Sequence, residues 1–251
     1  MKSLRAPVVA NAEVAPGIWS LWFEHPGLAR ACRPGHFLNL KPGPGPDPLL
    51  RRPLSVCDVE RDRLRLVFRA PGRGTALLAQ LRPGDELDIL GPLGRPVRLP
   101  KRRTVLLCGG GVGAAPLLLL ARRLRDENRV KVFLGARAAE GLILTREFSR
   151  LRLEVGFATD DGSHGHRGPV TDLVVKNVHP GTGQLVYACG PLAMLADLAR
   201  RVKGAEAWGF FEERMGCGTG ICYCCALPRK GGGYTRFCQE GPVVRLDEVE
   251  L

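Results

Sequence analysis

The chain has 251 residues, 45% of them hydrophobic and 25% charged, which suits two compact domains and excludes wholesale disorder or a polytopic membrane protein. Its net charge of +12 comes from 37 basic residues, only seven of them Lys. Arg is scattered through apolar stretches such as Leu64-Arg65-Leu66 and Val97-Arg98-Leu99, a pattern that reads as solvated charge rather than a nucleic-acid surface.

The opening segment, Met1-Lys2-Ser3-Leu4-Arg5-Ala6-Pro7, has no hydrophobic run of secretory length, so a cytoplasmic location is expected. From Ala6 to about Leu99, short alternating apolar runs such as Ile18 to Phe23, Phe37 to Leu40 and Leu64 to Phe68 are punctuated by Pro and Gly. That is strand spacing with turn signals, and it predicts a small antiparallel barrel over 1–99. The run Lys41-Pro42-Gly43-Pro44-Gly45-Pro46-Asp47-Pro48 must be a loop, and Leu77 to Leu81 suits a brief helix. Arg51-Arg52-Pro53-Leu54-Ser55 joins that loop to a strand, while Gly72-Arg73-Gly74-Thr75 opens the helix. An Arg fork beside a Gly-Thr helix start suits a diphosphate, although Arg52 reads equally well as a solvated strand-edge charge.

Beyond Pro100 the pattern changes. Thr104 to Leu107 is a continuous apolar strand, followed by glycines and a helix from about Ala115 to Asp126. Gly109-Gly110-Gly111, Gly113 and Pro116 argue against a membrane helix here. Strands at Val130 to Leu134, Leu153 to Phe157 and Gln184 to Ala188 alternate with helical stretches, which predicts a parallel-sheet, nucleotide-binding domain over 100–205. Gly109 to Gly113 follows a strand and precedes a helix, where glycines let a pyrophosphate approach. Cys189-Gly190-Pro191 ends the last predicted strand, at the same carboxyl edge. Alone, a glycine run is as often a tight turn, and Cys189 a buried thiol. His164 and His166 lie in a Gly-rich segment that reads as a solvated turn.

Nine cysteines without an export signal argue against a disulfide scaffold. Cys217, Cys222, Cys225 and Cys238 give C-x4-C-x2-C-x12-C within a small C-terminal segment, 206–251. This is the loop spacing of plant-type ferredoxins and predicts a two-iron, two-sulfur cluster. A structural zinc site is the rival, though only one half has its paired spacing. Cys224 is expected to be a packed thiol outside the ligand set.

Arg52-Pro53-Leu54-Ser55, Gly74-Thr75, the Gly109 to Pro116 segment, Thr159-Asp160-Asp161-Gly162-Ser163, Cys189-Gly190-Pro191 and the four-Cys loop after Glu213-Arg214-Met215-Gly216 occur in a recognisable order. The whole chain resembles the electron transfer subunits of class B dihydroorotate dehydrogenase, within the ferredoxin reductase superfamily. The resemblance implies FAD in the barrel, with Arg52 on its diphosphate, Gly74 and Thr75 at its phosphates, and Pro53, Leu54, Val67, Phe68 and Arg69 as further contacts. Leu54 stands where the wider superfamily usually has a stacking aromatic. NAD would lie near Gly110, Gly111 and Gly113 at its pyrophosphate and Cys189, Gly190 and Pro191 at its nicotinamide. Ser55 and Cys189 would stand nearest the hydride transfer.

A nicotinamide exchanges two electrons as a hydride and a cluster only one at a time, so a chain holding both needs a flavin between them. No acid–base set for an organic substrate is evident. The resemblance implies that oxidation occurs on an FMN-containing catalytic subunit, two copies of each chain forming a heterotetramer. The competing readings are a flavin and cluster subunit of a hydrogenase or an electron-bifurcating transhydrogenase, and a zinc-binding or redox-sensing protein that moves no electrons. Arg137, after the second sheet strand, leaves NAD against NADP open.

Overall fold

The computed structural model describes residues 3–179 and 181–251. The first two residues of the expected barrel segment, and residue 180, lie outside these. The barrel strands are β1 (Leu4–Ala15), β2 (Ile18–Glu24), β3 (Phe37–Leu40), β4 (Arg52–Glu60), β5 (Arg63–Arg69) and β6 (Glu86–Leu93), closed in the order β1-β2-β5-β4-β3-β6. All of these ladders are antiparallel. Closure leaves no edge strand exposed, and alternate residues such as Leu21, Phe23, Leu38, Leu40, Leu64 and Leu66 fill the interior. Helix α1 (Pro26–Ala31) is capped by His25, whose Nδ1 accepts the Leu28 N–H at 3.1 Å. Helix α2 (Arg73–Ala79) starts four residues earlier than its apolar run suggests, because Gly72 supplies an extended N-cap.

The second unit is a sheet of seven strands in the order β10-β9-β8-β7-β11-β12-β15. They are β7 (Thr104–Gly110), β8 (Arg129–Ala136), β9 (Glu154–Thr159), β10 (His166–Arg167), β11 (Leu185–Cys189), β12 (Glu206–Phe210) and β15 (Val243–Arg245). All pairings are parallel except β12 with β15. Helices α3 (Ala114–Leu124), α4 (Thr145–Arg150), α5 (Val170–Asn177) and α6 (Leu192–Arg201) connect them. The C-terminal segment adds the hairpin β13 (Ala226–Pro228) and β14 (Tyr234–Arg236) and the short helix α7 (Phe237–Glu240). The segment from residue 206 is thus not a separate layer. Its two ends are sheet strands, and only the chain between them forms the cysteine loop.

Helix α3 joins the two units. Its apolar run, Leu117 to Leu120, is fully buried because one side packs on β7 and the other on β4 of the barrel. Arg65, expected among the solvated arginines, is buried instead. Its Nε donates to Ser20 Oγ at 2.8 Å, its Nη1 to Glu147 at 2.7 Å, and its guanidinium lies 5.5 Å from the centre of the Trp22 ring. Glu147 belongs to α4, so this partly buried pair ties barrel to sheet. Arg122 on α3 repeats the arrangement toward Asp58, at 2.9 Å. His166 is likewise no free turn residue, since its Nε2 stands 3.2 Å from Asp172.

Candidate functional site

Strands β4 and β5 are hydrogen-bonded neighbours from Glu60–Arg63 to Val56–Leu66, and there their ladder stops. Both strands continue, as Arg52 to Ser55 on one and Val67 to Arg69 on the other. The barrel wall opens between these two stretches. All four residues from Arg52 to Ser55 are half-buried, where the rest of β4 is mostly buried. Their unpaired backbone groups need partners, so this opening suits a polar, flat ligand. Helix α2 starts at the same place. A Cβ on Gly74 would stand 2.5 Å from the Arg52 guanidinium, which therefore lies directly over the first turn of α2. Arg52 Nη1 donates to the Leu50 carbonyl at 2.6 Å. Gly72 gives that helix start no side-chain cap, and the Thr75 hydroxyl donates to the Gly72 carbonyl at 3.0 Å. A guanidinium and uncapped N–H groups together suit a diphosphate. Val67 and Phe68 are buried in the body of β5, and Arg69 is exposed at its end.

The glycine turn and the Cys189 segment meet at the carboxyl edge of β7 and β11, where Cys189 stands opposite Gly109. A Cβ on Gly113 would fall 2.2 Å from the Cys189 carbonyl oxygen, and one on Gly110 would lie 2.8 Å from Met194 Sδ and 3.2 Å from Pro191. Gly111 has φ +56° and nothing within 4 Å of a Cβ position. Gly110 and Gly113 thus let the turn pack closely on Met194 and the Cys189 carbonyl, Gly111 faces open space, and open parallel sheets bind ligands at this edge. Cys189 is buried, and burial, then Glu212 and Cys108, push its thiol well above the usual range. It acts as a neutral group. Glu212, which the sequence reading did not single out, follows β12 at the same edge. Solvent reaches its side chain, yet protein surrounds most of it and raises its carboxyl by desolvation.

The four predicted cysteines gather on one loop system at the foot of β3. Their contacts fall into two pairs. The Cys217 N–H donates to Cys222 Sγ at 3.4 Å, and the Cys238 N–H to Cys225 Sγ at 3.5 Å. Cys217 Sγ also accepts from the Thr219 N–H at 3.3 Å. Burial raises the Cys217 thiol, but the Thr219 and Cys222 hydrogen bonds outweigh it and bring it down to about 6. The Cys238 thiol is pushed up to about 12 by burial and by Cys225. Positive φ at Gly218 and Gly220 lets the loop wrap around the thiols. A Cβ on Gly216 would press on Cys222 Sγ at 3.2 Å. Among the described residues no three His, Cys, Asp or Glu side chains are grouped to hold one metal ion. The pairing of Cys217 with Cys222 and of Cys238 with Cys225 suits two irons held by two thiolates each. Cys224 departs from expectation: it is exposed, not packed. Asn39, also unremarked in the sequence, reaches the Cys217 carbonyl from β3.

Residues 212–250 match the model of the iron-sulfur cluster binding domain of dihydroorotate dehydrogenase B, and residues 107–200 that of the oxidoreductase NAD-binding domain. A solved structure of an NADH-dependent reduced ferredoxin-NADP oxidoreductase, studied for flavin-based electron bifurcation, is 30% identical with a TM-score of 0.88, covering 98% of this chain and 89% of that one. A flavohemoglobin from Malassezia yamatoensis, with bound FAD and heme, shares the fold at 17% identity and a TM-score of 0.68, over 84% of this chain and 61% of that one. Barrel, parallel sheet and thiolate loop together define an iron–sulfur oxidoreductase of the ferredoxin reductase type.

Two relatives carry the assignment further. The dihydroorotate dehydrogenase B (NAD(+)) electron transfer subunit of Desulforamulus reducens is 39% identical over 251 residues, 96% of each chain. That of Bacillus caldolyticus is 41% identical over 255 residues, 98% of each. This chain belongs to the family of dihydroorotate dehydrogenase B electron transfer subunits.

Proposed function

We propose that this chain takes electrons from a separate dihydroorotate-oxidising subunit and delivers them to NAD+. The observation that carries this reading is the shared wall. Strand β4 bears Arg52 to Ser55, and its ladder partner β3 packs through Phe37 against Cys225 and Cys238. A flavin bound at the barrel opening would accept single electrons on the cluster side and give a hydride to nicotinamide.

This chain's residues supply holding and insulation. Arg52, Gly74 and Thr75 would hold the diphosphate of FAD, Pro53, Leu54, Val67, Phe68 and Arg69 would make further contacts with it, and Ser55 and Cys189 would stand nearest the hydride transfer. Gly110, Gly111, Gly113, Gly190 and Pro191 would border NAD at the sheet edge, with open space at Gly111. Cys217, Cys222, Cys225 and Cys238 would hold the two-iron cluster, and the apolar group of Phe37, Leu93, Cys225 and Cys238 would exclude water on its barrel side.

The partner is an FMN-containing catalytic subunit, with two copies of each chain in a cytoplasmic heterotetramer. Ile221 and Tyr223, 81% and 59% exposed on the cysteine loop, suit its docking face. Among the described residues no helix is long and apolar enough to cross a membrane. The reading as a subunit of an electron-bifurcating transhydrogenase has support in the 30% match to the ferredoxin-NADP oxidoreductase structure. The 38–41% matches over nearly whole chains favour the dihydroorotate family. Anaerobic addition of NADH to the purified chain tests the core of the proposal. It should bleach a flavin absorption band and produce the electron paramagnetic resonance signal of a reduced two-iron cluster. A colourless protein containing zinc would overturn it.

A further inference from the structure

Asn39 lies in the middle of β3 and is wholly buried. Its neighbours Leu38 and Leu40 point into the barrel core. Phe37, two residues away and therefore on the same strand face as Asn39, packs with Leu93, Cys225 and Cys238. Across the β3–β4 ladder Asn39 stands opposite Pro53, and Phe37 opposite Ser55. Asn39 is thus flanked by the flavin motif on one side and the cysteine loop on the other.

Its Nδ2 donates to the Cys217 carbonyl across a long 3.5 Å. Gly218 closes over the amide, since a Cβ there would stand 2.8 Å from Nδ2. The held peptide begins the turn whose Thr219 N–H reaches Cys217 Sγ. Asn39 Oδ1 is buried without a partner. An unpaired buried polar atom costs about 1–3 kcal/mol. Leucine, with the same number of side-chain heavy atoms, would leave no polar atom unpaired there. Stability alone therefore argues against an amide here, and what it provides is its N–H.

We propose that Asn39 is a positioning residue for the cluster. By holding the Cys217 carbonyl against the barrel wall, it keeps the Cys217 to Thr219 turn in the form that aims an N–H at the thiolate. Hydrogen bonds to cluster sulfurs are among the factors that set its reduction potential. A donor aimed at sulfur favours the more negative, reduced form, so Asn39 raises that potential. This inference rests on the cluster reading above.

The test is a redox titration of the complete, cofactor-loaded chain, followed by electron paramagnetic resonance for the cluster and by absorption for the flavin. Asn39→Leu should bind iron and FAD in the unaltered ratio. Its cluster should be about tenfold harder to reduce, equivalent to about 59 mV for a one-electron couple, with the flavin midpoint unmoved. Asn39→Ala relieves any crowding by Leu and should shift the cluster in the same direction. A loaded variant with an unmoved cluster midpoint would overturn the role of Asn39 alone. An unaltered chain with no cluster signal would overturn the cluster reading and this inference together.

Discussion

The Arg52 guanidinium lies over Gly74 so closely that a single added methyl on the glycine would stand 2.5 Å from it. The contact joins the start of β4 to the first turn of α2, two segments separated by the whole of β5. Arg52→Ala should weaken FAD retention by about tenfold or more, the usual scale for losing a charge-assisted hydrogen bond. Gly74→Ala should weaken it less, because the guanidinium is the end of a flexible side chain and can move aside. Fluorescence titration of the flavin-free chain measures both. A diphosphate cradle also predicts FAD rather than FMN as the cofactor released on denaturation, and FMN alone in the mass spectrum would contradict it.

Serine substitution sorts the cysteines. Cys217→Ser, Cys222→Ser, Cys225→Ser and Cys238→Ser should each lose the cluster signal, whereas Cys224→Ser should keep it. Cys224 is exposed and makes none of the thiol contacts that pair the other four. Retention in Cys222→Ser with loss in Cys224→Ser would reverse the assignment.

Much of this site was legible because its motifs are local. The glycine turn and Cys189-Gly190-Pro191 each lie within a few residues, and periodicity placed them at strand ends; the four Cys fall within one short C-terminal stretch. What could not be read depends on contacts between distant segments. Phe37-Leu38-Asn39-Leu40 reads as an ordinary strand; only closure of the barrel puts Asn39 beside Cys217. Arg65 looks like one more solvated arginine until α4 brings Glu147 to it. The Cys and Gly content after Trp208 hid β12 and β15, because three-residue and five-residue strands carry too little alternation to register against it. Cys spacing likewise says nothing about which way Cys224 faces.

Tyr223 has its ring 5.0 Å from the Arg236 guanidinium, which also donates to the Gly220 carbonyl at 3.2 Å and pairs with Glu240 at 2.8 Å. Tyr223→Glu keeps a partner for Arg236, so the loop should survive. Burying a carboxylate at an interface is costly, and binding to the catalytic subunit should weaken at least about tenfold. Calorimetry or gel filtration reads the assembly. Unchanged affinity would remove this face from the interface.

Asp172 accepts hydrogen bonds from Arg201 at 2.7 Å and pairs with His166. The Arg201 bond and then His166 hold its carboxyl below the usual range. A carboxyl lowered in the folded state adds stability above its ordinary value of about 3.9, and the contribution is lost as pH falls through the folded value. Asp172→Asn should therefore be destabilised at neutral pH, by less than about 1 kcal/mol because the pair is partly solvated. The deficit should shrink in acid. Urea midpoints at several pH values would show it, and a pH-independent deficit would contradict the assignment.

As an electron transfer subunit, this chain relays electrons and leaves the organic oxidation to a partner. Steady-state assays of one preparation, with and without the catalytic subunit, address it. Alone, the cofactor-loaded chain should oxidise NADH with an artificial dye and leave dihydroorotate untouched. With the partner, dihydroorotate should reduce NAD+, and Cys225→Ser should abolish that coupled reaction. Oxidation of dihydroorotate by the isolated chain, or full coupled activity without the cluster, would contradict the account.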